Sequence, residues 1–273
     1  MKKELDKSLL TYNGEIPKKF TLPEDRIPPV HNQHIGTSDY RCMAYATTGI
    51  MRIMWRVYSG EDVDFSEAYV YGKYRREANR IGKGMFVSDL MPGVVNGGCV
   101  PQDAMPDIKK EAEGYDYVKA HPELDEKAKP YAEMFKGYVN LKGRTKLETL
   151  ENTKKALLQY QLPIYGEYVG HAIIFVGWNE DKLYYRDCDG TKSLKLLSYK
   201  DIKESYLFMM ADKNKKKFID VPDYHWAKEA IEYCAEKGYM NGVDKDSFDP
   251  NKPLARAEIA QILYNYDKAV GRA

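Results

Sequence analysis

Gly170-His171-Ala172-Ile173-Ile174-Phe175-Val176-Gly177-Trp178 is the stretch on which the reading of this chain turns. It is short, apolar and rich in β-branched and aromatic residues, which suit the pleated surface of a sheet better than a helix. Residues 164–169 before it and 182–186 after it have the same character, and Gly170 and Asn179-Glu180-Asp181 separate them. Three strands joined by tight turns are predicted. A histidine heading an apolar strand is most often a satisfied core residue, so the strand alone leaves the role of His171 open.

Upstream the pattern changes. Over residues 42–58, Met43, Thr47, Ile50, Met54 and Val57 recur at i, i+4, i+7, i+11 and i+14, one face of a helix that Gly60 should stop. Further helices are predicted over 66–79, 86–95 and 147–160, the last with Leu150, Leu157 and Leu158 on its apolar side. Residues 107–140 are charged and show no clear period. Residues 1–28 are polar and punctuated by proline, leading into Ile27-Pro28-Pro29-Val30, and predict an extended arm. The fold class is therefore α+β: a helical half carries Cys42 and a β half carries His171.

The bulk numbers set limits. The 273 residues suffice for one medium domain and a small one. The net charge is +1 and no basic stripe accumulates, which argues against nucleic acid as a partner. The lysine-rich run at 213–217 reads as a solvated linker. The 23 tyrosines suit half-buried positions, and also surfaces that bind sugars or peptides. No run reaches ~18 apolar residues, so no membrane span is expected. Residues 1–10 have no apolar core of a secretory signal, which leaves the location open between cytosol, export by another route and a chain whose signal has been removed, with release by phage machinery a further reading. Cysteines 42, 99, 188 and 234 form no C-x-x-C pair. A structural zinc site is not expected, nor is a metal at the H-x-x-H pair His31 and His34, and no cofactor is implied.

A thiol attacks carbonyl carbon as thiolate, so a catalytic cysteine sits where negative charge is favoured, at a helix N-terminus or beside an imidazolium. Cys42 begins the predicted long helix, with Arg41 beside it. The stretch Pro29-Val30-His31-Asn32-Gln33, followed by Cys42-Met43-Ala44-Tyr45-Ala46, resembles the opening block of the papain family of cysteine peptidases. Residues 65–71 resemble that family's next helix start, Gly97-Gly98-Cys99-Val100-Pro101 its turn after the third helix, and residues 170–178 its histidine strand. The resemblance covers about residues 23–210. It implies a two-lobed fold, a helical lobe with the cysteine helix and an antiparallel β lobe. It also implies Cys42 as nucleophile, His171 as base, and Gln33 with the Cys42 backbone N–H as oxyanion donors. The 129 residues from Cys42 to His171 lie at the lower edge of the ~130–150 of papain-like enzymes.

The third member should orient the imidazole. Asp187, 16 residues beyond the histidine, stands where papain has asparagine. The double-glycine peptidases of the same clan use aspartate, and their strand and turn resemble residues 185–190, followed by a helix placed here at 198–205. Asp189 is the alternative if the register slips by two. Departures from the family are Asp39-Tyr40-Arg41 before the cysteine, Met43 after it, three extra residues between Gln33 and Cys42, and the missing disulfide cysteines. They bear on subsite specificity and on the oxyanion donor.

Residues 218–273 form a separate unit with two predicted helices, 225–237 and 256–269, the second with Ile259, Ile262, Leu263 and Tyr266 as its apolar face. Phe218-Ile219-Asp220-Val221-Pro222, His225-Trp226-Ala227, residues 238–242, Phe248-Asp249-Pro250 and residues 254–258 resemble an S-layer homology repeat over about 218–268. Such repeats bind anionic secondary cell-wall polymers, and by family position Asp220, Trp226 and Arg256 are the contact candidates. The structural alternative is that Asp220 and Trp226 only hold the helices together. Ala255 replaces the usual threonine, and only one repeat is present where three are usual.

The domain reading is thus a papain-like unit over 1–212 with its arm at 1–28, a linker at 213–217 and an all-α module over 218–273. The expected function is thiol-dependent amide hydrolysis at a bacterial envelope, on peptidoglycan peptides or surface proteins, with a cell-wall polymer as second partner. The alternatives are a degenerate papain-fold scaffold, and a phage lysin or virion-associated wall enzyme.

Overall fold

The computed structural model describes residues 2–29, 31–34, 41–82, 84–211, 218–222, 225–244 and 246–269. Val30, Asp39 and Tyr40 of the papain-like block and the linker at 213–217 lie outside the described residues. The chain divides into two compact units, Met1–Ala211 and Asp212–Ala273.

In the first unit the helical half comes first: α1 Cys42–Ser59, α2 Glu67–Lys73, α3 Val87–Gly97, α4 Glu111–Ala120 and α5 Glu123–Ala132. The β half contains β3 Phe135–Asn140, α6 Lys146–Tyr160, β4 Ile164–Tyr168, β5 His171–Asn179, β6 Lys182–Arg186, β7 Lys195–Ser198 and β8 Glu204–Met210. Two short strands from the arm, β1 Glu4–Leu5 and β2 Lys19–Thr21, complete an eight-stranded sheet among the described residues. Its order is β1-β3-β8-β4-β5-β6-β7, antiparallel throughout except for the β1–β3 edge, with β2 paired to the far end of β5.

Helix α1 is the axis of this unit. Its first three turns, Cys42 to Met51, are buried on every side, as expected of a helix apolar around its whole circumference. It packs on β5, and Gly49 allows the approach: a Cβ there would stand 3.1 Å from Ile174 Cδ1. Gly60 ends α1 with φ +85°, the left-handed conformation that glycine adopts without strain.

The arm is extended and fastened. Leu22 N–H donates to Val176 O at 2.8 Å, Trp178 Nε1–H donates to Pro17 O at 2.8 Å, and Phe20 stacks on the Trp178 ring at 4.8 Å.

The structure corrects some expected elements. The helix expected over 66–79 stops at Lys73, where Gly72 crosses close to the Gly114 carbonyl of α4, and only a 3-10 turn, Glu77–Asn79, follows. The helix expected over 198–205 is a single 3-10 turn, Tyr199–Asp201, leading into β8. β8 lies between β3 and β4 and is buried on both faces, so sheet pairing decides its conformation. The charged stretch 107–140 resolves into α4, α5 and β3.

The second unit holds α7 Lys228–Glu236 and α8 Arg256–Ala269 around a small core of Phe218, Val221 and Ile231. The expected apolar face of α8 is not covered: Ile259, Leu263 and Tyr266 are 44, 60 and 42% exposed. So small a unit has too little interior to bury both helix faces. Among the described residues no helix is long and apolar enough to cross a membrane.

Candidate active site

Cys42 is the first residue of α1, where the unpaired N–H groups of the first turn favour negative charge. Among the described residues no side chain caps this end. Arg41 does not face the cysteine. Its guanidinium is buried, donates from Nη2 to the carbonyls of Ile108 and Lys109 at 2.7 and 2.8 Å, and lies over the Tyr71 ring.

His171, the first residue of β5, stands opposite α1. Its Nε2 is 2.7 Å from Asp187 Oδ1. The Cys42 thiol lies near enough to the same ring to favour its protonated form. Burial disfavours the imidazolium, but Asp187 and Cys42 outweigh it and raise the His171 pKa to about 9. Asp187 is 5% exposed; burial opposes its charge, yet His171 and Lys195 hold its pKa below the ordinary carboxylate value.

The sequence-derived residues thus fall into two groups. Cys42, His171 and Asp187 come together. Asp189 stays off the imidazole: its carboxylate accepts from Lys195 Nζ at 2.5 Å and from the Thr191 N–H at 3.0 Å. Gln33 is buried, and its backbone N–H donates to Cys188 O at 2.8 Å. The Cys188 thiol in turn lies 3.7 Å from Cys42 O, so the glutamine segment is pinned to the strand end that carries Asp187. The Asn32–Asp189 bridge and the Gly190 N–H bond to His31 O complete that clamp. His31 turns inward, its Nδ1 2.9 Å from Glu67 Oε1, whereas His34 is exposed.

Sequence reasoning missed Lys195. Its Nζ lies 3.0 Å from Asp187 Oδ2 and 2.5 Å from Asp189 Oδ2. The β6–β7 register sets Lys195 against Tyr185, two residues before Asp187, and only that pairing could have revealed it. The first unit holds two further thiols, enclosed as Cys42 is. Cys99 and Cys188 are buried, and desolvation pushes both well above the ordinary thiol range.

A cleft of about 570 Å³ opens at the site. Cys42, Met43, Met85, Phe86 and Met91 line it from the helical half, and Glu4, Glu167, Glu204 and Tyr206 from strands of the sheet.

In the second unit Asp220 is engaged within the fold. Its two carboxylate oxygens accept from the N–H groups of Phe248 and Asp249 at 2.9 and 2.6 Å. Trp226 holds no helices together: it is 93% exposed. Arg256 is exposed at the start of α8.

Known proteins resemble each part of the chain separately. Xylellain, a cysteine protease from Xylella fastidiosa, aligns with a TM-score of 0.55 at 16% identity, over 77% of this chain and 92% of its own. The proform of the Amb a 11 cysteine protease, a ragweed pollen allergen, gives 0.55 at 16% identity, over 77% of this chain and 71% of its own. Residues 217–260 match the S-layer homology domain family. An S-layer protein of Bacillus thuringiensis subsp. finitimus is 48% identical over 48 residues, 18% of this chain, and this chain spans only 6% of that relative's length. The chain therefore has a papain-like cysteine protease fold followed by an S-layer homology domain.

Proposed function

We propose that this protein is a thiol-dependent amide hydrolase of the papain type, held at a bacterial envelope by its S-layer homology domain. The observation that carries the proposal is the contact of His171 Nε2 with Asp187 Oδ1 at 2.7 Å at the head of β5, with Cys42, the first residue of α1, near enough to the same ring to raise its pKa. A nucleophile, a base and an orienting carboxylate are linked in series, each where the next needs it.

The reaction follows from that series. Cys42 sulfur, its proton passed to His171, attacks the carbonyl carbon of an amide. A C–S bond forms and the carbonyl oxygen takes the negative charge, to which the Cys42 backbone N–H and the Gln33 side-chain amide donate hydrogen bonds. The His171 imidazolium protonates the leaving nitrogen as the C–N bond breaks, leaving a thioester. Water, deprotonated by His171, attacks the thioester; the C–S bond breaks and the acid departs. Asp187 holds the ring in the orientation that serves both steps.

The substrate class is peptide, from peptidoglycan stems or surface proteins, and the second partner is an anionic cell-wall polymer. Trp226 offers an open indole face for a sugar ring, and Arg256 a guanidinium for an anionic group. Asp220 supports them by fixing the loop at Phe248.

The test is hydrolysis of purified peptidoglycan fragments and surface proteins, analysed for new amine and acid termini, with Cys42→Ser as control. Cleavage that disappears in Cys42→Ser is expected. Cleavage that survives it would remove Cys42 from the mechanism. No cleavage, together with a thiol of ordinary reactivity, would leave a papain-fold binding protein.

A further inference from the structure

The cleft beside Cys42 combines two chemistries. Met43, Met85, Met91 and Phe86 give it an apolar wall, and Glu4, Glu167 and Glu204 bring three carboxylates to the other side. Glu167 and Glu204 face each other directly across the β4–β8 pairing. Like charges in that relation destabilise a sheet unless a cation lies between them or beside them.

The chain answers only part of this charge. Lys142 Nζ lies 2.7 Å from Glu204 Oε1, outside the cleft lining, and Lys203 acts on Glu167 through space. Tyr165 donates its hydroxyl to Glu167 Oε1 at 2.6 Å, and Tyr206 to Glu204 Oε2 at 3.3 Å. Among the described residues Glu167 Oε2 and the Glu4 carboxylate accept no hydrogen bond from protein. Glu4 comes from the arm: β1 pairs with β3 so that Glu4 stands against Tyr138, which also lines the cleft.

From this arrangement we infer that the cleft is the subsite for a substrate side chain that is aliphatic along its stem and cationic at its tip, lysine or arginine in kind. The inference rests on the peptidase reading above. The stem lies along the methionine wall, displacing water from apolar surface, and the ammonium or guanidinium reaches the carboxylates at the far side. Burial pushes the Glu167 pKa upward, and a cation at the tip acts in the opposite sense, favouring its charged form. An apolar side chain would fill the wall and leave the carboxylates unanswered. An acidic one would add a fourth negative charge.

The test uses the full chain and pairs of epoxide-bearing dipeptides that place lysine or norleucine at each of the two residues next to the warhead. The rate of Cys42 modification is read by intact mass and peptide mapping. At one position the lysine probe is expected to react at least tenfold faster than the norleucine probe. Glu4→Gln, Glu167→Gln and Glu204→Gln, made singly, are each expected to shrink that ratio. Equal rates for the two probes at both positions in the native protein overturn the inference, whatever the variants do. A lysine preference that persists undiminished in all three variants overturns it too, because the cation is then read elsewhere. A small alkylating probe on the same sample separates the two levels. If Cys42 fails to react with it faster than the other cysteines, the peptidase reading fails. If it reacts fast without lysine preference, only the subsite assignment fails.

Discussion

At the scale of residues, the site is a short series of hydrogen bonds, and its behaviour with pH follows from them. The His171 pKa is raised above that of a free imidazole, to about 9, so the protonated ring favours the folded state. Its stabilising contribution is complete below about pH 6.5 and disappears as pH rises through about 9. Activity should therefore show an alkaline limb near pH 9, measured as kcat/KM against pH. Lys195 tempers this. It shares Asp187 with His171, and replacing it with methionine leaves the carboxylate charge to the imidazolium alone. Lys195→Met should move the alkaline limb upward by a fraction of a pH unit or more; an unmoved limb would show that the ion pair has no hold on the imidazole. Much of this site was legible in the sequence. His171 opens β5 and Asp187 directly follows β6, its antiparallel partner, and the resemblance to the papain clan had singled out both positions. Lys195 was not legible, because only the β6–β7 register places it beside Asp187. Nor were Glu4 and Glu204, which reach the cleft from the arm and from the start of β8, where the helix expected over 198–205 ends.

At the scale of elements, local signals served well where a helix is long and poorly where tertiary pairing decides. Helix α1 and strand β5 were readable from their periods and composition alone. β8 was not: it is preceded by serine, lysine and aspartate, and only its place between β3 and β4 makes it a strand. The turn after α3 depends on one glycine. Gly98 has φ +71°, and a Cβ there would lie 2.2 Å from Ala128 O on α5. Gly98→Ala should cost about 2 kcal/mol or more, combining left-handed strain with overlap against a backbone, measured by chemical denaturation. The start of α8 offers the opposite case. Ala255 N–H donates to Glu258 Oε2 at 2.7 Å, one half of a capping box whose other half needs a hydroxyl. Ala255→Thr supplies it and should stabilise the second unit by about 1 kcal/mol, seen as a higher melting point of that unit's transition. No gain would mean that α8 frays for lack of cover on its apolar face rather than for lack of a cap.

At the scale of the whole molecule, the proposed function gives each of the two compact units its own task, and each should survive loss of the other's key residues. Trp226→Ala and Arg256→Ala should each weaken binding to purified cell-wall polymer by about tenfold in a sedimentation assay, while Cys42 reactivity stays as in the native protein. Loss of thiol reactivity in those variants would show that the units are coupled. The S-layer homology unit was legible through short motifs at fixed spacing. The exposed apolar face of α8 was not, because a helical period announces a face without saying what covers it.

The central claim is the link from thiol to imidazole to carboxylate, and the most direct measurement of it is competitive alkylation. The intact protein is treated near neutral pH with a limiting amount of iodoacetamide, and the labelled cysteine is mapped by mass spectrometry. The account predicts that Cys42 is modified ahead of Cys99, Cys188 and Cys234, and that His171→Ala slows its modification by tenfold or more. Modification of Cys42 at the pace of the other cysteines, unaffected by loss of His171, would contradict it.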